Sequence, residues 1–402
     1  MNIKSLFLSS AAAFVVTSGA QAASTITAES KSVEYVRVCD AYGKGYFYIP
    51  GTETCIRLSG NVRADLRVGD DVGATTDSDL KNSKKTYGAA SRLTLAFQTA
   101  SETELGTLRS YARIYSHWGG GKDKAGAKLS AAYIELGGFR VGLASTIFGS
   151  WTDDYGNVIN DDGIAPAGVT RTNFISYTFS GDTGFSAIIA AELGNAIGPK
   201  SDTYYYIDKD GKLVTASQKT APLSKEVKDY TPNLLFGVKF MQQWGGFSTI
   251  AAYDAYYKKW AGKIRADFNI NEYLNFWVMG GYKNSIDYYT ADDEAFKNTL
   301  SRESATVYAN WGGKWAGWAG ATYKITPKAS FNAQISYSAA KTFATSVNVS
   351  YTLVPGLVIT PELAYVSWND NRTFTDASGT KYIHALHGKS AVLGMIRLQR
   401  SF

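Results

Sequence analysis

Between Cys55 and Gly69 apolar and polar residues alternate without a break. Ile56, Leu58, Gly60, Val62, Ala64, Leu66 and Val68 share one parity; Arg57, Ser59, Asn61, Arg63, Asp65 and Arg67 share the other. Successive side chains of a β-strand point to opposite faces, so this run predicts a strand with one apolar and one strongly polar face. The period returns with Leu93, Leu95 and Phe97 against Arg92, Thr94 and Gln98, and with Leu108, Ala112 and Ile114 against Arg109, Tyr111 and Arg113. It returns again with Ile264, Ala266, Phe268 and Ile270 against Lys263, Arg265, Asp267 and Asn269, and in Phe343–Leu353. Segments of ~10 residues with this dyad, separated by turns, mark a transmembrane β-barrel. The polar set carries more charge than a dry core could hold. The polar face is therefore expected to line water and the apolar face to meet lipid.

The connections fall into two kinds. Short turns are expected near Thr99–Glu104, Gly137-Gly138, Ser180–Thr183, Gln243–Gly245, Asn271-Glu272, Thr326–Lys328 and Val354–Gly356. Longer polar loops lie near Gly69–Lys85, Gly119–Ala127, Phe148–Thr170, Asn195–Tyr230, Asn284–Gly313 and Asp370–Gly388. Short periplasmic turns alternating with long outer loops are the expected layout, and the count between them is about sixteen strands, an even number that suits a water-filled pore. Glu303–Asn310 also alternates but would break the up-down order, so it is placed in a loop before a strand beginning at Lys314. Phe97, Tyr177, Phe179, Phe185, Trp244, Phe247, Phe268, Tyr273, Phe276, Tyr323, Phe331 and Tyr351 sit beside the short turns, as an interfacial belt would. Trp260, Trp315 and Trp368 fall near the opposite strand ends.

The start of the chain changes the picture of where it resides. Lys4, the apolar stretch Leu6–Val16 and Ala20-Gln21-Ala22 read as a cleaved export signal over residues 1–22. That stretch is too short for a spanning helix, which needs ~20 residues. Residues 23–54 form an N-terminal segment and residues 55–402 the barrel. The formal net charge of +6 is mild and interleaved with acids, which excludes a nucleic-acid partner as the reading. An even cysteine count in an exported chain favours a Cys39–Cys55 disulfide closing the loop Asp40–Thr54, with two unpaired thiols as the alternative.

A family resemblance rests on particular runs. These are Val36–Gly43 through Tyr46–Cys55, Trp311-Gly312-Gly313-Lys314-Trp315, Leu353-Val354-Pro355-Gly356, and the ending Ile396-Arg397-Leu398-Gln399-Arg400-Ser401-Phe402. Together the chain resembles the alphaproteobacterial general porins over essentially its whole mature length. The resemblance implies a homotrimer of sixteen-stranded barrels whose third outer loop folds into the pore. It also implies that the strand ending in Phe402 is read by the barrel-assembly machinery. Outer-membrane lipid and lipopolysaccharide are the expected surroundings.

A channel of this kind makes and breaks no bonds; its working part is the narrowest ring of side chains. The third outer loop, Phe148–Thr170, offers Asp153, Asp154, Asp161 and Asp162, with Trp151, Tyr155, Asn157 and Asn160. Inward parity places Arg57, Arg63, Arg67, Arg92, Arg109, Arg113 and Arg140 on the facing strands. Opposed rows of acid and base orient dipolar solutes and select ions; the plainer alternative is a lumen that is merely polar. Asp208-Lys209-Asp210-Gly211 lacks the distal glutamate of a calcium loop and reads as a hairpin turn. His384 and His387, with His117 far off, lack further ligands or a nucleophile, so neither a metal site nor any cofactor is expected. The expected function is passive diffusion of small hydrophilic solutes and ions. A substrate-selective channel, or a barrel acting as enzyme or adhesin through its outer loops, is the alternative.

Overall fold

A computed structural model describes residues 37–83, 86–119, 122–123, 126–168, 171–193, 203–217, 230–291, 298–304 and 306–402. The expected signal over residues 1–22, and most of the loop 195–230, lie outside these. Val38–Phe402 forms a single unit.

The dyad runs become sixteen long antiparallel strands. In chain order they are β1 (Cys55–Gly69), β2 (Tyr87–Ser101), β3 (Leu108–Gly119), β4 (Lys128–Leu136), β5 (Phe139–Ala144), β6 (Thr172–Ser180), β7 (Phe185–Glu192) and β8 (Asn233–Gln242). The second half comprises β9 (Gly245–Asp254), β10 (Lys259–Asn269), β11 (Leu274–Lys283), β12 (Trp315–Thr326), β13 (Ala329–Ser338), β14 (Thr342–Val354), β15 (Leu357–Trp368) and β16 (Lys389–Ser401). Each pairs with its neighbours in sequence, and β1 also pairs with β16 from Asn61↔Ser401 to Gly69↔Leu393, which closes the barrel. Lipid offers backbone groups no hydrogen bonds, so only a closed sheet can satisfy every strand within it.

The closing seam depends on one small residue. Phe402 and Gly60 exchange backbone hydrogen bonds of 2.9 and 3.0 Å past the end of β16. A Cβ on Gly60 would lie 2.4 Å from the Thr94 carbonyl oxygen and 3.0 Å from the Phe402 ring, so only glycine lets the terminal ring lie over β1.

The register separates the faces as the alternation predicts. Leu58, Val62, Leu66, Phe97, Ile264 and Leu398 are exposed on the outer wall. Aromatic rings pair across strands near the short turns, with Phe139–Tyr177 and Phe268–Phe276 both at 4.7 Å. A second row near the outer ends includes Tyr253–Trp260 at 4.8 Å and Trp315–Tyr337 at 6.0 Å. Trp368 ends its strand, as expected, but on the inner parity: it is 7% exposed and packed among the residues beneath the outer loops.

The outer loops build a six-stranded sheet of their own from Thr203–Ile207, Leu213–Ser217, Asp287–Ala291, Thr299–Ser304, Thr373–Thr375 and Lys381–His384. The expected hairpin at Asp208–Gly211 is its first turn, in which Asp208 Oδ1 accepts from the Asp210 and Lys212 amides. Among the described residues of the alternating stretch Glu303–Asn310 only Glu303 and Ser304 lie in a strand, the end of Thr299–Ser304, which joins this sheet and not the barrel, so the up-down order is preserved. At the other end of the barrel the Cys39–Cys55 disulfide holds Asp40–Thr54 against the start of β1, with Tyr46 and Ala100 packed beside it.

Candidate functional site

The third outer loop lies between β5 and β6; its residues 145–168 turn into the barrel and are fastened along the inner wall of β7–β15, while Arg171 at its exit donates to the Leu129 carbonyl of β4. Its first turn is fixed by Glu192. That carboxylate accepts from Thr146 Oγ1 at 2.8 Å, the Ile147 amide at 2.6 Å and the Tyr308 hydroxyl at 2.8 Å. Trp151 Nε1 then donates to the Val238 carbonyl at 3.3 Å. Lys263, fully buried, forms an ion pair with Asp154, and Arg265 donates to the Asp153 carbonyl while gripping Asp267. Farther on, the Gly156 amide donates to Gln334 at 3.0 Å and Asn157 donates to Thr322 at 3.0 Å.

The middle of the loop hangs on Glu362. The Ile159 amide, the Asn160 amide and Asn160 Nδ2 all donate to its carboxylate, and Asn348 Nδ2 braces it from the next strand. Ser346 donates to the Asn160 carbonyl at 2.6 Å, and Trp318 Nε1 donates to the Ile164 carbonyl at 2.8 Å. Backbone amides that would otherwise be orphaned in an irregular segment are thus satisfied by wall side chains of inner parity.

These contacts sort the four loop acids. Asp154 is paired with Lys263 and faces the wall. Asp153 and Asp162 remain exposed, and Asp161 is half-buried beside Asp162. Burial, a hydrogen bond from the protonated Asp161 to Asp162 and the charge of Asp162 push the Asp161 carboxyl up to about 8. The same surroundings raise the Tyr155 hydroxyl. Around neutral pH Asp161 therefore largely keeps its proton.

The seven arginines all carry inner parity, and all stand on β1–β5, across the barrel from most of the strands that hold the loop. They form separate groups. Arg63 and Arg92 are direct cross-strand partners, and Arg67 packs against Gly88 on the same pair of strands. Arg92 lies over Tyr115 at 4.5 Å. Arg113 donates to Ser130 at 2.8 Å. Arg140 donates to Glu135 at 2.6 Å and covers the Tyr133 ring, which stacks on Tyr111 at 5.1 Å. Arg109 faces Glu135 across the ladder. Arg57 stands apart, 5.9 Å over Tyr46 in the disulfide-held segment.

Sequence parity alone did not single out Lys263, Arg265, Gln334, Asn348 or Glu362 as the holders of the loop. The signal was present: a glutamate and a lysine at inner-face positions in the middle of spanning strands need partners. Among the described residues no three His, Cys, Asp or Glu side chains converge on a common point. His384 Nδ1 accepts from the Leu386 amide and His387 Nδ1 meets the Asp370 carbonyl, so the pair serves its own loop.

Known proteins agree with this architecture. A family profile described as "Porin subfamily" matches residues 24–395. Porin Omp2b of Brucella suis is 40% identical over 419 residues, covering 100% of both chains. Porin Omp2b of Brucella melitensis biotype 1 is 40% identical over 413 residues, again covering 100% of both. Among solved structures, the outer-membrane channel DcaP of Acinetobacter baumannii superposes with a TM-score of 0.58 at 13% identity, covering 88% of this chain and 99% of that one. The anion-selective porin of Comamonas acidovorans gives 0.51 at 14% identity, covering 87% and 100%. At such identities the structural likeness speaks for the fold; the full-length relatives speak for the family. The chain belongs to the porin subfamily, as a general diffusion channel of the bacterial outer membrane.

Proposed function

We propose that solutes pass between loop 3 and the arginine-bearing wall, and that this gap is the selective element. The observation that supports it is the fastening of loop 3 to β7–β15, which leaves β1–β5 as the free wall. In this reading Asp153, Asp161 and Asp162 form the acidic side and Arg63, Arg67, Arg92, Arg109, Arg113 and Arg140 the basic side. Arg57 guards the end near the disulfide, and Asp154 serves as an anchor. Fixed charges of opposite sign across a narrow aqueous gap orient dipoles and disfavour apolar solutes. Replacing Arg113 and Arg140 by Glu should move the reversal potential under a salt gradient toward cation preference. An unchanged reversal potential would remove these residues from the conducting path.

Several further features bear on assembly and action. The protein acts by passage alone and catalyses no reaction. Residues 1–22 serve as a leader and residues 23–54 as an N-terminal segment, whose described part is tethered through Cys39–Cys55. Phe402, hydrogen-bonded into the seam, serves as the mark for the barrel-assembly machinery. A homotrimer is supported by Ser91, Thr99, Ser110 and Ser116, hydroxyls on the outer parity of β2–β3, of which Thr99 and Ser110 meet at 2.5 Å. Hydroxyls on a wall otherwise facing lipid are better covered by protein. Exposed Lys258 and Lys314, beside Trp260 and Trp315, suit the phosphates of lipopolysaccharide.

A further inference from the structure

The outer half of the β1–β3 wall concentrates positive charge with little to balance it. Arg63 and Arg92 stand opposite each other on neighbouring strands, and Arg92 stands opposite His117 on the next. Like charges placed directly across a ladder, as Arg63 and Arg92 are, repel. Arg171, at the exit of loop 3, reaches the same place: it lies 5.6 Å over the Tyr115 ring that Arg92 covers at 4.5 Å. On the other side, Arg397 of β16 grips Asp65 with bonds of 2.7 and 2.9 Å. Among the described residues Asp65 is the one carboxylate paired with any of these arginines, and Arg63 reaches it only at 3.6 Å.

The donors are also underused. The ε nitrogens of Arg63 and Arg92 and Nδ1 of His117 are buried and make no hydrogen bond to the protein, Arg63 Nε having only the 3.6 Å ion pair with Asp65. Arg171 is held by Nη1 donating to the Leu129 carbonyl at 3.1 Å and Nη2 to the Tyr115 hydroxyl at 3.5 Å; each of these nitrogens carries a second hydrogen, and Arg92 over the ring keeps its own donors. Two guanidinium groups gathered at one tyrosine, with a third across the ladder, match an anion that offers several oxygens at once.

From this geometry we infer that the wall around Tyr115 is a binding site for tetrahedral oxyanions, inorganic phosphate and phosphate monoesters in particular. The site is formed by Arg63, Arg92, Arg171 and His117. It deepens the channel reading by naming a solute class the lumen would retain, and depends on it only in placing these groups on a water-filled face. An anion bridging Arg63 and Arg92 relieves their repulsion, so binding should also stabilise the barrel.

The test uses the full-length folded protein in detergent, its folding checked by heat-modifiable migration. Calorimetric titration with inorganic phosphate at low ionic strength should give saturable binding of about one anion per chain, with sulfate competing. Arg63→Gln/Arg92→Gln should weaken binding at least tenfold. Arg171→Gln, which lies outside the strands and leaves their ladder intact, should weaken it at least threefold and serves should the double variant fail to fold. No saturable binding by the wild type, or unchanged binding in a folded variant, would overturn the inference. Conductance in potassium chloride, measured on the same preparation, separates the two readings. A conducting protein that ignores phosphate defeats the site and spares the channel; a phosphate-binding protein that does not conduct does the reverse.

Discussion

Asp161 and Asp162 stand side by side on loop 3, and their shared environment makes the charge of that loop depend on pH. Asp161 is pushed up to about 8 by burial first and then by Asp162. A carboxyl raised in the folded state binds its proton more tightly there than in the unfolded chain. Stability is therefore greatest below the unfolded value near 4 and declines as pH rises toward 8. In function the sign is simple: between pH 7 and 9 the loop gains negative charge. Cation preference should therefore rise over that interval, read as a shift in reversal potential, and Asp161→Asn should abolish the shift. Lys263 offers a second residue-scale test. Replacing it with Met strands the Asp154 carboxylate in a buried place, which costs about 3–5 kcal/mol. Noisier, less uniform single-channel currents are expected, and currents identical to wild type would deny the anchor. The inward arginines were legible in the sequence because strand parity is rigid. The burial of Asp154 was not, because an irregular loop has no period to read.

At the scale of elements, loop 3 is held by strands that do not adjoin it in sequence. Glu362 accepts four donors, three from the loop and one from Asn348. Leaving such donors unpaired costs about 1–3 kcal/mol each. Glu362→Ala should free the middle of the loop, with larger and fluctuating conductance while heat-modifiable folding persists. A steady wild-type conductance would show that the other contacts suffice. The closing seam is the other critical element. Gly60→Val would drive a side chain into the Thr94 carbonyl and the Phe402 ring. The yield of folded barrel should fall sharply, measured as the heat-modifiable fraction after refolding, whereas Val62→Leu on the same face should be tolerated. Alternation revealed the barrel strands because each has one wet and one lipid-facing side. It put Trp368 at the right strand end without giving its face, because the strand ends beneath the outer loops are covered on the inside, where an aromatic is as well accommodated as in the belt. The six-stranded outer sheet was legible only in its first hairpin: two more of its pairings are local but short, and the pairings that assemble the sheet, Tyr205 with Tyr289 and Thr299 with Ile383, join segments distant in the chain.

For the molecule as a whole, three devices limit motion: barrel closure, the disulfide at one end and the loop sheet at the other. The Cys39–Cys55 bond spans a separation of 16 residues. A loop of that size corresponds to about 3 kcal/mol in the chain-entropy picture. Replacing both cysteines by Ala should lower the temperature of heat modification without altering conductance, because the bond lies outside the path between loop 3 and the arginines. The central claim is that the barrel encloses a continuous aqueous path, and single-channel recording of the purified, refolded protein in a planar bilayer tests it most directly. Large ohmic steps are expected, arriving in threes where the trimer survives, with a reversal potential that responds to Arg113→Glu/Arg140→Glu. Folded, heat-modifiable protein that inserts and yet passes no current would contradict the claim.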